Sequence, residues 1–145
     1  MRISIKEIGT DEEEEIIIRC HQVNQEILEL YQTIKKNQNC IAVTYKEEIY
    51  KLPIRDIFYF ETVDNKAFFY CADKVYETKL KLYEFEELSE GTSFFRASKS
   101  VILNADKIRC VKPVLNGRFE ATLENGEKVI ISRQYVADLK KAFGL

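Results

Sequence analysis

Residues 107–132 read KIRCVKPVLNGRFEATLENGEKVIIS. Asn-Gly occurs twice, at 116–117 and 125–126, and apolar residues alternate with polar ones on either side. Asparagine and glycine accept the left-handed backbone that tight hairpin turns demand. The two pairs therefore predict three successive antiparallel strands, over 107–114, 118–124 and 128–132. Immediately downstream, Ser132 is placed to N-cap a helix over 133–143 with Val136, Leu139 and Phe143 on one face. Lys140, Lys141 and Gly144 suit the end of that helix.

The same punctuation runs upstream. Residues 40–53 read as two strands joined by a turn near Lys46–Glu48. Residues 56–79 read as three more, with turns at Asp64-Asn65-Lys66 and Ala72-Asp73-Lys74. Leu82, Phe85 and Leu88 mark a short helix over 80–88, with Gly91 as its C′ residue. The first 39 residues differ. Ile3, Ile5 and Ile8 predict a strand over 2–8, a turn follows at Gly9–Asp11, and Ile16–Arg19 reads as a second strand. Val23, Ile27, Leu30, Tyr31 and Ile34 form one face of an amphipathic helix over 22–36. The chain thus divides into a strand-and-helix appendage, 1–39, and a mainly β domain of antiparallel strands with short helices, 40–145.

Composition narrows the chemistry. Net charge is −2, which argues against a generic nucleic-acid binder, but the charge is sorted. Residues 92–118 hold six cations (Arg96, Lys99, Lys107, Arg109, Lys112, Arg118) against Asp106 alone, whereas 82–90 hold four glutamates and no cation. The four cysteines have no C-x-x-C spacing, and the single His21 adjoins only Cys20, so zinc ligation is not indicated and buried thiols are expected. The sequence lacks phosphate-cradling glycine loops and H-E-x-x-H, and His21 has no partner for general-base work. A non-enzymatic protein without cofactor or metal is expected. No signal peptide or membrane-length apolar run is found, which points to the cytoplasm.

One basic segment stands apart. FFRASKSVILN, 94–104, holds Arg96, Ser98, Lys99 and Ser100 between two apolar anchors. Such a segment can offer cations and hydroxyls to DNA phosphates and base edges with little loss of freedom. Equally, Arg96 could pair with a helix carboxylate such as Glu87 while the serines cap local backbone. Residues alone leave the two readings level.

Order tips the balance. IRDIFYFETVDNKAFFYC (54–71) precedes FEELSEG (85–91), then FFRASKSVILNADKI (94–108), then NGEKVIISRQYVADLKKAF (125–143). This resembles the LytTR family of DNA-binding domains in bacterial transcription regulators. The pattern of Phe, Arg, Ser and Asn is met by Phe94, Phe95, Arg96, Ser100 and Asn104, and a closing Ser-Arg-x-Tyr by Ser132, Arg133 and Tyr135. The resemblance covers about residues 40–145. It implies an elongated, mostly β fold that puts turns into successive major grooves of double-stranded DNA. Carried over, the contacts are Asn65 and Lys66, then Ser98 and Lys99, then Arg133 and Gln134, with Arg96 and Lys107 as backbone or supporting contacts. Many members carry a phospho-receiver domain, for which residues 1–39 leave no room. The helix over 22–36 either packs on its own domain or pairs with a second copy as a homodimer. Family context also suggests a membrane-protein regulator. The resulting expectation is a sequence-specific transcriptional regulator, the alternative being a protein-interaction module that uses the basic 92–118 stretch.

Overall fold

The computed structural model describes residues 1–145, apart from the side chains of residues 36–38. The backbone falls into two units, 1–35 and 36–145. Residues 1–24 form no strand: those expected over 2–8 and 16–19 are absent. Alternation makes a strand only where a neighbour completes the ladder, and neither segment finds one. The expected turn at Gly9 does form, with the Glu12 amide donating to the Gly9 carbonyl. Helix α1 (Gln25–Gln38) starts three residues later than its apolar spacing suggests. Asn24 sets that start, its side-chain oxygen accepting from the Ile27 amide at 2.9 Å. Val23 therefore lies outside the helix. Ile27 and Ile34 are half-buried, while Leu30 and Tyr31 are exposed.

The second unit is antiparallel throughout. Strands β1 (Cys40–Tyr45) and β2 (Glu48–Pro53) form a hairpin whose turn residues, Lys46 and Glu47, both have positive φ. A five-stranded sheet follows, built from β3 (Tyr59–Val63), β4 (Lys66–Tyr70), β5 (Val75–Thr78), β6 (Phe94–Arg96) and β7 (Val101–Asn104), in the order β5-β4-β3-β7-β6. A third sheet holds β8 (Ile108–Pro113), β9 (Phe119–Leu123) and β10 (Lys128–Ile131), with β9 central. These are the three strands predicted by the two Asn-Gly pairs. Helix α2 (Leu82–Leu88) separates β5 from β6, and α3 (Val136–Ala142) closes the chain.

The five-stranded sheet is the shared layer between two cores, and its period of two shows why. Along β7, Ile102 faces one cluster with Phe60, Phe69, Phe85 and Val43. Its neighbours Val101 and Leu103 face the other, with Leu123, Ile131 and Leu139. All four β7 residues are buried. Phe85 of α2 seals the first core, its ring 5.1 Å from those of both Phe60 and Phe69. Asn104 ends β7 buried and satisfied: its Nδ2 donates to the Ile57 carbonyl at 2.9 Å, and its Oδ1 accepts from the Asp106 amide at 3.0 Å.

Three local expectations change. Ser132 occupies the N-cap position of a 3-10 turn (Arg133–Tyr135) that precedes α3, yet its side chain caps nothing. Its amide is committed to the Ala97 carbonyl at 2.8 Å, which fixes the entry of the chain by backbone alone. Gly91 (φ 76) sits beyond the end of α2, because Ser89 is the C-cap and its amide and hydroxyl both bond the Phe85 carbonyl. The thiols are not buried: Cys20 and Cys110 are exposed, and Cys40 and Cys71 are half-buried. Cys110 points outward from edge strand β8, and Cys20 lies in the strandless leader to α1.

Candidate nucleic-acid interface

Strand register decides which turns share an edge. β3 runs antiparallel to β7, with Glu61 opposite Val101, and the Thr62 amide donates to the Ser100 carbonyl at 3.0 Å. The outgoing end of β3 therefore lies beside the incoming end of β7. The β3–β4 turn, with Asp64 and Asn65 at positive φ, projects from the same end of the sheet as the β6–β7 turn, Ala97–Ser100. The bond from the Ser132 amide to the Ala97 carbonyl then ties the 3-10 turn Arg133–Tyr135 to that end. Six of the eight residues singled out from sequence thus lie at one end of the domain: Asn65, Lys66, Ser98, Lys99, Arg133 and Gln134. Ser98 and Lys99 line one open concavity of about 670 Å³ with Ser132, Arg133, Gln134 and Tyr135. Asn65 and Lys66 line a neighbouring one with Thr62, Asp64 and residues 77–82. Lys66, Lys99, Arg133 and Gln134 are exposed, with nothing engaging their charged or amide ends in a bond shown by the structure.

Arg96 reaches this edge from behind and spends its guanidinium on the protein. Nε donates to the Ser98 carbonyl at 3.0 Å and Nη2 to the Lys99 carbonyl at 2.9 Å. Nη1 bonds Glu86 Oε2 of α2 at 2.8 Å, and the guanidinium carbon lies 5.5 Å from the centre of the Tyr135 ring. One planar fork therefore holds the Ser98 and Lys99 carbonyls of the turn, the acidic helix and the aromatic of the 3-10 turn. Ser98 adds a local brace, its hydroxyl accepting from the Ser100 amide. The carboxylate partner is Glu86, one residue before Glu87. Sequence reasoning misses Tyr135 and Glu86 as partners of Arg96; the Ser-Arg-x-Tyr pattern is the available signal for the first and the run of glutamates in 82–90 for the second.

Lys107 does not join the group. It follows β7 at the opposite end of the sheet, with Nζ over the Phe58 ring at 5.4 Å and its carbonyl accepting from Glu124. The rest of the basic stretch is also dispersed. Lys112 lies 3.7 Å from Glu120, which Lys128 approaches equally, and the Arg118 Nε bonds the Leu115 carbonyl. The cations of 92–118 therefore do not gather at one end: Lys99 stands at the β6–β7 turn and Lys107 at the far end of the sheet. Among the described residues, no group of three or more His, Cys, Asp or Glu could hold a metal ion, and no helix is long and apolar enough to cross a membrane.

Comparison with known proteins matches residues 47–144 to the model of the LytTr DNA-binding domain. The sensory transduction protein LytT of Bacillus subtilis (strain 168) is 28% identical over 120 residues, covering 83% of this chain and 50% of that protein. LytT of Bacillus anthracis is 32% identical over 101 residues, 70% of this chain and 41% of the relative. The transcriptional regulatory protein YpdB of Escherichia coli (strain K12) is 27% identical over 114 residues, 78% and 47% respectively. The chain thus spans about half the length of the curated relatives it matches. Among solved structures, a LytTr DNA-binding domain from Bacillus cereus superposes with a TM-score of 0.68 at 26% identity, covering 74% of this chain and 98% of that one.

Proposed function

Since the chain belongs to the LytTr DNA-binding domain family, we propose that it is a sequence-specific transcriptional regulator that reads double-stranded DNA with the turns at one end of its β domain. The observation that carries the reading is the shared edge itself. Three segments far apart in sequence meet there through two backbone hydrogen bonds, Thr62 to Ser100 and Ser132 to Ala97. Exposed Lys66, Lys99 and Arg133 supply the positive charge that a phosphate backbone attracts. Arg133 has the fork that fits guanine O6 and N7, and the amides of Asn65 and Gln134 fit adenine N6 and N7. Ser98 and Lys99 suit phosphate oxygens. Arg96 is a positioning residue in this reading, and Lys107 lies outside the interface. The protein acts in the cytoplasm, where a bacterial promoter is available, and α1 of two copies pairs to place two domains on paired sites. A membrane-protein regulator is part of the same proposal by family context.

The test is binding of the purified protein to a site selected from random duplex DNA, followed at two salt concentrations. Affinity should fall steeply with salt. A base or phosphate contact of this kind contributes about 1–3 kcal/mol, so Lys99→Ala and Arg133→Ala should each bind roughly tenfold more weakly with unchanged melting. Wild-type affinity in both variants sinks the assignment of this edge.

A further inference from the structure

The turn between β8 and β9 lies beside Arg133, and no DNA contact has been assigned to it. β9 pairs with β8 on one side and β10 on the other, with Phe119 opposite both Pro113 and Ile131. The loop Leu115–Gly117 therefore emerges next to the strand end from which Ser132 and Arg133 continue. Gly117 has a φ of 73°. A Cβ built on it would stand 2.9 Å from Arg133 Cδ, 3.1 Å from Cγ and 3.8 Å from Cβ. Three consecutive carbons of the arginine thus run across the bare face of this glycine. The loop beneath is stiff, because the Val114 amide bonds the Arg118 carbonyl at 2.9 Å and the Arg118 Nε bonds the Leu115 carbonyl at 3.1 Å.

We propose that Gly117 is a positioning residue: the Asn116-Gly117 turn is a seat that aligns the Arg133 side chain before DNA arrives. Its missing side chain serves two ends, the positive φ of the turn and the close passage of the arginine. A seated arginine has already given up rotamer freedom that would otherwise be lost on binding. The functional half of this inference rests on the reading of Arg133 as a DNA contact.

Gly126 provides the internal control. It also has a positive φ (89°), in the β9–β10 turn, but a Cβ there meets nothing within 4 Å. Asparagine tolerates the left-handed region, so Gly117→Asn and Gly126→Asn impose comparable backbone cost while only the first displaces Arg133. Affinity for the selected duplex should fall about five- to tenfold in Gly117→Asn and stay at the wild-type value in Gly126→Asn. In an Arg133→Ala background, Gly117→Asn should change affinity by less than about twofold, because the seat has lost its occupant. In the DNA-free protein, the Arg133 Nε–H resonance should shift and gain mobility in Gly117→Asn alone. The inference is overturned by an unmoved Nε resonance in Gly117→Asn, by wild-type DNA affinity in that variant, or by an equal loss in the Arg133→Ala background. Wild-type affinity in Arg133→Ala overturns the DNA-contact reading and the functional half with it. The Nε resonance tells these failures apart, since it reports the seat without DNA.

Discussion

Replacing Arg96 with lysine keeps the charge and removes the fork. If Arg96 is a clamp, as its bonding indicates, that exchange is severe; if it is a phosphate contact, the exchange is mild. The magnitude follows from the partners. Hydrogen bonds from a charged donor to the Ser98 and Lys99 carbonyls contribute about 1.5–3 kcal/mol each, and the low end applies at a surface edge. The pair with Glu86 is half in water on the glutamate side and contributes about 1 kcal/mol or less. Stacking on Tyr135 contributes about 0.5–1 kcal/mol. Lysine can keep one of these carbonyl bonds at a time, so the expected loss is about 2–3.5 kcal/mol, or roughly 4–14 °C in Tm for a chain of this size. Chemical denaturation of Arg96→Lys and Arg96→Gln measures the loss, and binding to the selected duplex measures its consequence. Both variants should be destabilised alike, and both should bind DNA weakly, because the turn bearing Ser98 and Lys99 is released. Wild-type stability in Arg96→Lys, with DNA affinity retained and lost only in Arg96→Gln, would refute the clamp.

Ile27→Asp should convert a dimer in solution to a monomer, measured by light scattering, and leave the melting of the β domain unchanged; a variant that stays dimeric removes α1 from the interface. The Cys71 thiol is pushed up to about 11, by burial first and then by the Asp56 and Asp73 carboxylates. Its alkylation in the folded protein should therefore rise only as pH climbs toward 11, read by mass spectrometry after brief iodoacetamide treatment, and half-maximal labelling of the folded protein near pH 9 would contradict that environment. The unfolded thiol sheds its proton near 9, so this contribution to stability is intact below pH 9 and falls away as pH rises through 11.

What sequence made legible was local. The Asn-Gly pairs and the Asp64-Asn65 turn declare themselves because each chain reversal includes a left-handed backbone position that few residues accept, and all three turns form hairpins. β6 and β7 were harder to read. Three residues are too few for alternation, and Val101-Ile102-Leu103 is apolar throughout because β7 is buried on both faces. The error over residues 2–8 and 16–19 has the complementary cause. Their patterns satisfy a strand locally, but pairing is supplied by another segment, and none comes.

The site divides along the same line, with a consequence for how such domains are recognised. The residues that carried the family resemblance are largely the ones the fold consumes. Arg96 holds two carbonyls and a carboxylate, Asn104 is buried between the Ile57 and Asp106 backbones, Tyr135 underlies Arg96, and Ser132 serves through its amide. Lys66, Lys99 and Gln134 are exposed and bear no such internal duty, so no internal bond of the domain fixes their identity, whereas Asn65 is exposed but held to its type by the left-handed backbone of its turn. A motif can therefore announce the edge while remaining silent on what that edge recognises, since architecture constrains the first set and leaves the second free. Arg133 sits on the boundary: the resemblance includes it, its end is exposed, and its stem lies across Gly117. That contact joins residues sixteen apart in sequence on two turns, and neither turn's local pattern contains it. It follows only from β9 pairing with both of its neighbours, which sets the β8–β9 turn beside the end of β10.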